Sequence, residues 1–343
     1  MKKILFPCLT AKDLFYLTAR DNCNGPHIAL RKAFEERDYK FHIEAEGDLN
    51  SYEFIFFIDL YDDSFIGRLK RLKQKNKGYK ILKKALKEGL GKKIVVLLNE
   101  SYLIAPWNYK ISNHLGIGTI FTWKKELIDN KKYYKFFLPF GGLIDPRKDI
   151  DFDKKKLIMS ISGNKFLSNK GELYSYRRKT VKFLNKECPN TFDLYGVGWG
   201  DNGLVSNIKR FIRHGQFDFT NYQTYRGSPD NKNEVISSYK FVICYENARF
   251  NDYITEKIFD VFVNKRVPIF YGANNMSEYV PENTFINRED FNSDYELISY
   301  LNKVDKNQYM EYIYNINTFL DSKEFHKFGS KYFAKNIINT LRV

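Results

Sequence analysis

The sequence predicts an α/β protein with two open, parallel-sheet domains, and three observations lead there. The chain has 343 residues, enough for two cores of ordinary size. Short apolar runs alternate with segments of helical period, as in a parallel sheet covered by helices. One stretch, Tyr239–Phe291, contains a whole strand, polar loop, helix and strand in succession.

In chain order, Ile4–Phe6 reads as a first strand and Pro26–Arg37 as a helix with Ala29, Leu30, Ala33 and Phe34 on one face. Phe54–Ile58 is a buried strand that runs into Asp59. Arg68–Leu90 is helical with a break near Gly78, and its lysines and arginines alternate with Leu69, Leu72, Ile81, Leu82, Leu86 and Leu90. Such a face can be solvated or can lie on anionic lipid. Ile94–Leu98 is a further strand, followed by Asn99, Glu100 and Ser101. A carboxylate at the carboxyl end of a parallel strand lies where such folds bind ligands. Glu100 can act there as a general base, or merely cap the next turn.

The charged run Asp145–Lys156 divides the chain into domains 1–150 and 151–322, with a basic amphipathic helix in 323–343. That helix offers Phe328, Tyr332, Phe333, Ile337, Ile338 and Leu341 for packing or for a membrane surface. Asp151 and Asp153 form a DxD, but among linker lysines they read as solvated surface. Leu157–Ile161 is a strand ending in Ser162, Gly163 and Asn164; Tyr176–Asn185 is a helix; Leu194–Gly196 ends the next strand.

Phe241–Tyr245 is apolar without alternation, as expected of a strand covered on both faces. Glu246–Tyr253 is a polar loop, Thr255 a candidate N-cap, and Ile258, Val261 and Phe262 follow at helical spacing. Ile269–Tyr271 completes the βαβ unit and stops at Gly272. Lys257 stands in the first helical turn, where the dipole disfavours a cation. It is either a surface lysine or the partner of an anion, and phosphate is the natural one.

Composition narrows the classes. Hydrophobic content of 43% and aromatic content of 17% exclude a disordered chain. The opening MKKILFPCLTAKD has too short an apolar run for a signal or a span, which predicts a cytoplasmic protein. Four cysteines without CxxC spacing exclude a zinc module, and the five histidines show no metal spacing. A net charge of +15 leaves nucleic acid, an anionic membrane surface or a lysine-rich surface as explanations.

The blocks YKFVICYEN, DYITEK, VPIFYG and TFINREDF resemble the donor-binding signature of the α-1,3-fucosyltransferases, glycosyltransferase family 10. Asn99, Glu100 and Ser101 resemble that family's NESP or FESP segment, with Tyr102 in place of proline. Leu138–Gly141 is similar to its PYG segment, and Leu194–Gly196 fits its DxYG in outline.

The resemblance implies two Rossmann-like domains facing one another across a cleft, the GT-B arrangement, with GDP-fucose held by the second as donor substrate. It implies inverting transfer with Glu100 as base. Lys257 and Arg177, or its neighbour Arg178, would meet the diphosphate; Glu256 would hold the ribose, and Asn247 and Tyr253 the sugar or phosphates. No tightly bound cofactor is implied, and no visible motif requires a divalent metal. The implied acceptor is O3 of N-acetylglucosamine in a cell-surface glycan such as lipopolysaccharide. A lipid-linked acceptor and a peripheral place on the inner face of the membrane stay open. The alternatives are a GT-B enzyme using another nucleotide sugar, or a basic nucleic-acid-binding protein; no stacking motif supports the second, and no nucleic acid is expected as partner.

Overall fold

A computed structural model describes residues 2–7, 11–16, 22–64, 67, 77–142, 152–153, 155–167 and 169–343. The chain forms two compact units: Met1–Gly141 together with Lys327–Val343, and Gly142–His326.

In the first unit, β1 (Lys2–Leu5), β2 (Tyr39–His42), β3 (Phe54–Ile58), β4 (Ile94–Leu98), β5 (Thr119–Thr122) and β6 (Tyr133–Lys135) form one sheet in the order β2-β1-β3-β4-β5-β6. All its pairings are parallel. Every residue of β4, IVVLL, is buried, because a parallel sheet carries helices on both faces.

Alternation along β3 separates the two cores. Phe56 turns to one side, where it stacks on Phe6 at 4.6 Å and meets the edge of Phe34 at 5.6 Å. Phe34 belongs to α2 (Gly25–Glu35), which follows the short α1 (Ala11–Tyr16). Ile55 and Phe57 turn to the other side and join Val96, Leu98, Leu82 and Ala85. The last two lie on α3 (Lys77–Lys87). The apolar stripe of the lysine-rich segment, as far as it is described, is thus used by the unit's own core; residues 68–76 lie outside the described residues.

The second unit holds β7 (Lys156–Ile161), α4 (Tyr174–Glu187), β8 (Phe192–Tyr195), α5 (Leu204–His214), α6 (Lys232–Ile236), β9 (Tyr239–Tyr245), α7 (Glu256–Phe262), β10 (Val267–Tyr271), β11 (Ile286–Asn287), α8 (Asp294–Lys303), α9 (Lys306–Leu320) and α10 (Lys323–His326). Its sheet runs β11-β10-β9-β7-β8, again all parallel. Counted from its own first strand, each sheet is wound 2-1-3-4-5, with β6 added in the first unit. Chain direction therefore switches between β1 and β3, and between β7 and β9, and the carboxyl ends beside such switch points form the crevice of a doubly wound sheet.

The C-terminal segment differs from the single helix expected over Phe325–Val343. It breaks into α10 and α11 (Ser330–Leu341), because the chain pauses at Phe328 and Gly329 to pair with Phe140, whose N–H donates to the Phe328 carbonyl at 2.6 Å. Phe333, Ala334, Ile337 and Ile338 of α11 are buried. Phe333 lies 6.0 Å from the His27 ring of α2, so this helix completes the first unit.

Candidate active site

The loop after β9 is built around a buried carboxylate. Glu246 is fully buried and its Oε1 accepts from the Thr255 N–H at 2.9 Å and the Thr255 hydroxyl at 2.7 Å. Its Oε2 takes the Lys257 ammonium at 2.7 Å. Lys257 also donates to Thr255 Oγ1 at 3.0 Å, which leaves one of its three N–H groups, and its side chain keeps 27% exposure. Burial opposes the charge on Lys257, but the carboxylates of Glu246 and Glu256 outweigh it and hold the pKa above the ordinary lysine value. The anion that Lys257 meets here is thus a carboxylate of its own chain.

Backbone geometry makes room for this cluster. Asp252 adopts φ +65° and is held there by Asn275, whose Oδ1 accepts the Asp252 N–H at 2.8 Å, and by the Tyr279 hydroxyl at 2.5 Å from its Oδ1. A Cβ on Gly272 would fall 2.7 Å from Glu246 Cγ, so only glycine can follow β10 beneath this carboxylate. Thr255 caps α7 as expected, but α7 has only seven residues, so side-chain charge outweighs the helix dipole here.

Arg177 and Arg178 are both buried and point apart. Arg177 Nη2 donates to the carbonyls of Tyr245 at 2.5 Å and Glu246 at 2.9 Å, which puts a cation under the end of β9. Burial draws its pKa below the usual arginine value, against the pull of Tyr174 and Glu246. Arg178 instead lies over the Phe166 ring at 4.0 Å and donates to Gln216 at 2.7 Å. Asn247 is half-buried, and its carbonyl accepts from the Leu173 N–H at 3.1 Å. Tyr253 is buried, and Glu256 is exposed at the start of α7. The structure thus gathers Arg177 and Lys257 around Glu246, with Asn247, Tyr253 and Glu256 on the same loop and helix start.

In the first unit Glu100 follows β4 and is half-buried. Its loop is fixed by Asp59, one residue past β3 with φ +55°. Asp59 Oδ1 accepts from the N–H groups of Asn99 at 2.7 Å and Glu100 at 3.1 Å, and from Asn108 Nδ2 at 2.6 Å. Tyr109 donates to the Glu100 carbonyl at 2.9 Å. Lost hydration, aided by the Glu100 charge and opposed by these three donors, pushes the Asp59 carboxyl up to about 6. Tyr102, where the family's proline would stand, is 53% exposed.

Two functional candidates escaped the sequence reading, Glu246 and Asp59. Each is the first polar residue after the third strand of its sheet, and that position was the available signal. Among the described residues, no group of three or more His, Cys, Asp or Glu side chains could hold a metal, and no helix is long and apolar enough to cross a membrane.

Solved structures share this architecture over the whole chain. An α1,3-fucosyltransferase with GDP matches at a TM-score of 0.58 and 15% identity, covering 100% of this chain and 90% of that one. HepE of Anabaena with UDP-glucose matches at 0.54 and 12%, covering 100% of both. At such identities the likeness is one of fold alone, the GT-B fold of two Rossmann-like units.

The family is defined by sequence. The family model for glycosyltransferase family 10 (fucosyltransferase), C-terminal part, matches residues 154–331, and the chain belongs to that family. That span contains Arg177, Asn247, Tyr253, Glu256 and Lys257; Glu100 lies outside it. The α-(1,3)-fucosyltransferase FucT of Helicobacter pylori is 36% identical over 111 residues, 31% of this chain and 22% of that protein. The mouse 4-galactosyl-N-acetylglucosaminide 3-α-L-fucosyltransferase 9 is 44% identical over 82 residues, 23% of each. The chain is therefore matched to less than a quarter of the length of these relatives.

Proposed function

We propose that this protein is an α-1,3-fucosyltransferase that moves fucose from GDP-fucose to a glycan hydroxyl, O3 of N-acetylglucosamine in a cell-surface glycan such as lipopolysaccharide, with inversion at the anomeric carbon. The observation that carries the proposal is the cluster after β9, where Arg177 and Lys257 converge on the end of a switch-point strand inside the segment that defines the family.

In this reading the two cations stabilise the charge that builds on the departing diphosphate, so the leaving group needs no acid. Lys257 is suited to the work because Glu246 keeps it protonated and Thr255 fixes its direction. Glu256 takes the ribose, and Asn247 and Tyr253 the sugar or phosphates. On the acceptor side Glu100 removes the hydroxyl proton as the sugar transfers through an oxocarbenium-like state. The reading locates the enzyme in the cytoplasm, working on a lipid-linked acceptor at the inner face of the membrane.

Incubation with GDP-fucose, GDP-mannose, UDP-glucose and CMP-sialic acid, with free nucleotide measured, tests the donor assignment. Release from GDP-fucose alone is expected. Release from a UDP-sugar in its place would overturn the fucosyl reading in favour of another GT-B transferase. The anomeric coupling constant of the fucosylated product tests inversion.

A further inference from the structure

Helix α5 is turned inside out. In a surface helix the apolar stripe faces the core; here Asn207 is the buried residue of the helix, while Leu204, Val205, Ile208, Phe211 and Ile212 are 67, 65, 47, 49 and 77% exposed. The inward side is secured by polar bonds. Asn207 Nδ2 donates to the carbonyls of Asn202 at 2.9 Å and Asp218 at 3.1 Å, and its Oδ1 accepts the Asp218 N–H at 2.6 Å. Arg210 reaches the carbonyls of Asp201 at 2.9 Å and Asp218 at 3.1 Å. The helix cannot roll its apolar side inward without breaking this network, and five exposed apolar residues on eleven positions are what a covered surface looks like.

The patch continues past the helix. Phe217 stacks on Phe211 at 4.5 Å, and Phe219 on Phe217 at 5.7 Å; both are at least half exposed. Lys209 and Arg213 are exposed on the flank of the apolar stripe, and His214 and Gly215 close the helix. The nearby acids are answered from within: Asp218 is buried against Lys182 at 3.0 Å, and Asp201 accepts from the Ser206 hydroxyl.

We propose that α5 with Phe217 and Phe219 is an interfacial membrane-docking face, which buries its aliphatic and aromatic side chains at the acyl boundary of an anionic bilayer while Lys209 and Arg213 meet lipid phosphates. Charge selects this occupant. A basic rim around an apolar ridge complements acidic headgroups, whereas a second copy would bring Lys209 and Arg213 against their own kind in a chain of net charge +15. Among the described residues, the helices that looked suited to lipid in the sequence do not compete: the apolar sides of α3 and α11 are packed inside the first unit.

The test is co-sedimentation of the full chain with vesicles of phosphatidylcholine alone and of an equimolar mixture with phosphatidylglycerol. Binding at least tenfold tighter to the anionic vesicles is expected. The double variant Ile208→Glu/Ile212→Glu should lose at least tenfold of it, and Lys209→Glu/Arg213→Glu should lose the preference for phosphatidylglycerol. Both variants change exposed side chains, so an unchanged thermal midpoint and unchanged GDP-fucose turnover in solution will show that fold and donor site persist. An Ile212→Trp chain should show a blue-shifted emission on anionic vesicles, quenched by lipids brominated on the acyl chain. Undiminished sedimentation of the double Glu variant overturns the proposal. So does a lipid-free dimer, seen by light scattering, that Ile212→Glu dissociates.

Discussion

Asp59 and Glu246 occupy equivalent places in two sheets of the same winding, each one residue beyond the third strand, yet they are treated in opposite ways. Glu246 is paired with a cation and a hydroxyl, and the ion pair holds Lys257 protonated and aimed. Asp59 meets neutral donors only, and its carboxyl rises to about 6 while it organises the loop that carries Glu100. Other buried titratable groups, in the second unit and in the first, can be set beside them. In the second, Asp193 takes Lys156 and Arg226, and Asp294 takes Arg288. In the first, His27 is buried with neither ring nitrogen hydrogen-bonded, and burial lowers its pKa to about 4.

The sharpest way to break the comparison is Glu100→Gln. If the first unit supplies the base, transfer falls by about 10²–10⁴, while GDP affinity measured by calorimetry stays within twofold. Equal losses in both would move Glu100 to a structural role.

Next is the Lys257–Glu246 pair. Lys257→Met alone strands a fully buried carboxylate, which costs about 3–5 kcal/mol of stability, so lost activity in that variant would be ambiguous. Glu246→Gln/Lys257→Met removes both charges and is expected to recover most of the thermal midpoint yet not the GDP affinity. Recovery of both would show that Lys257 serves only to neutralise Glu246.

The titrations of the first unit come after that. The folded pKa of His27 is depressed, so its contribution to stability is complete above the unfolded value near 6.5 and is lost as pH falls through about 4. His27→Leu should flatten the acid side of the stability curve by about 3 kcal/mol at most.

The smallest expected effect is at Asp59, and its sign is opposite. Its folded pKa is raised, so its contribution is complete below about 3.8 and is lost as pH rises through about 6. Asp59→Asn should therefore be more stable than the parent at pH 8, by just under about 3 kcal/mol at most, with the gap closing as pH falls towards 3.8. A gap that widens on acidification would refute the assigned shift.

What the sequence made legible followed from burial. Continuous apolar runs revealed β3, β4 and β9, because a strand covered on both faces has no polar position to confuse the reading. β2, β5 and β6 are four residues or fewer and gave too little signal. In helix α5 the apolar spacing of Leu204, Val205, Ile208, Phe211 and Ile212 does signal a helix, but the rule sends that side inward, whereas Asn207 faces in and Ile212 faces out. Glu246 was hidden inside a motif recognised as a whole. The choice between Arg177 and Arg178 depends on the phase of α4 against β9, which spacing alone does not fix.

Helix α11 joins the first unit although it is translated after every residue of the second. The second unit has its whole sequence in one uninterrupted stretch and can close as soon as residue 326 leaves the ribosome. The first unit must wait, with the side of α2 around His27 uncovered, until the last helix arrives to seal it. A nick near residue 326 would therefore unsettle the portion of the protein that lies farthest from the cut in sequence.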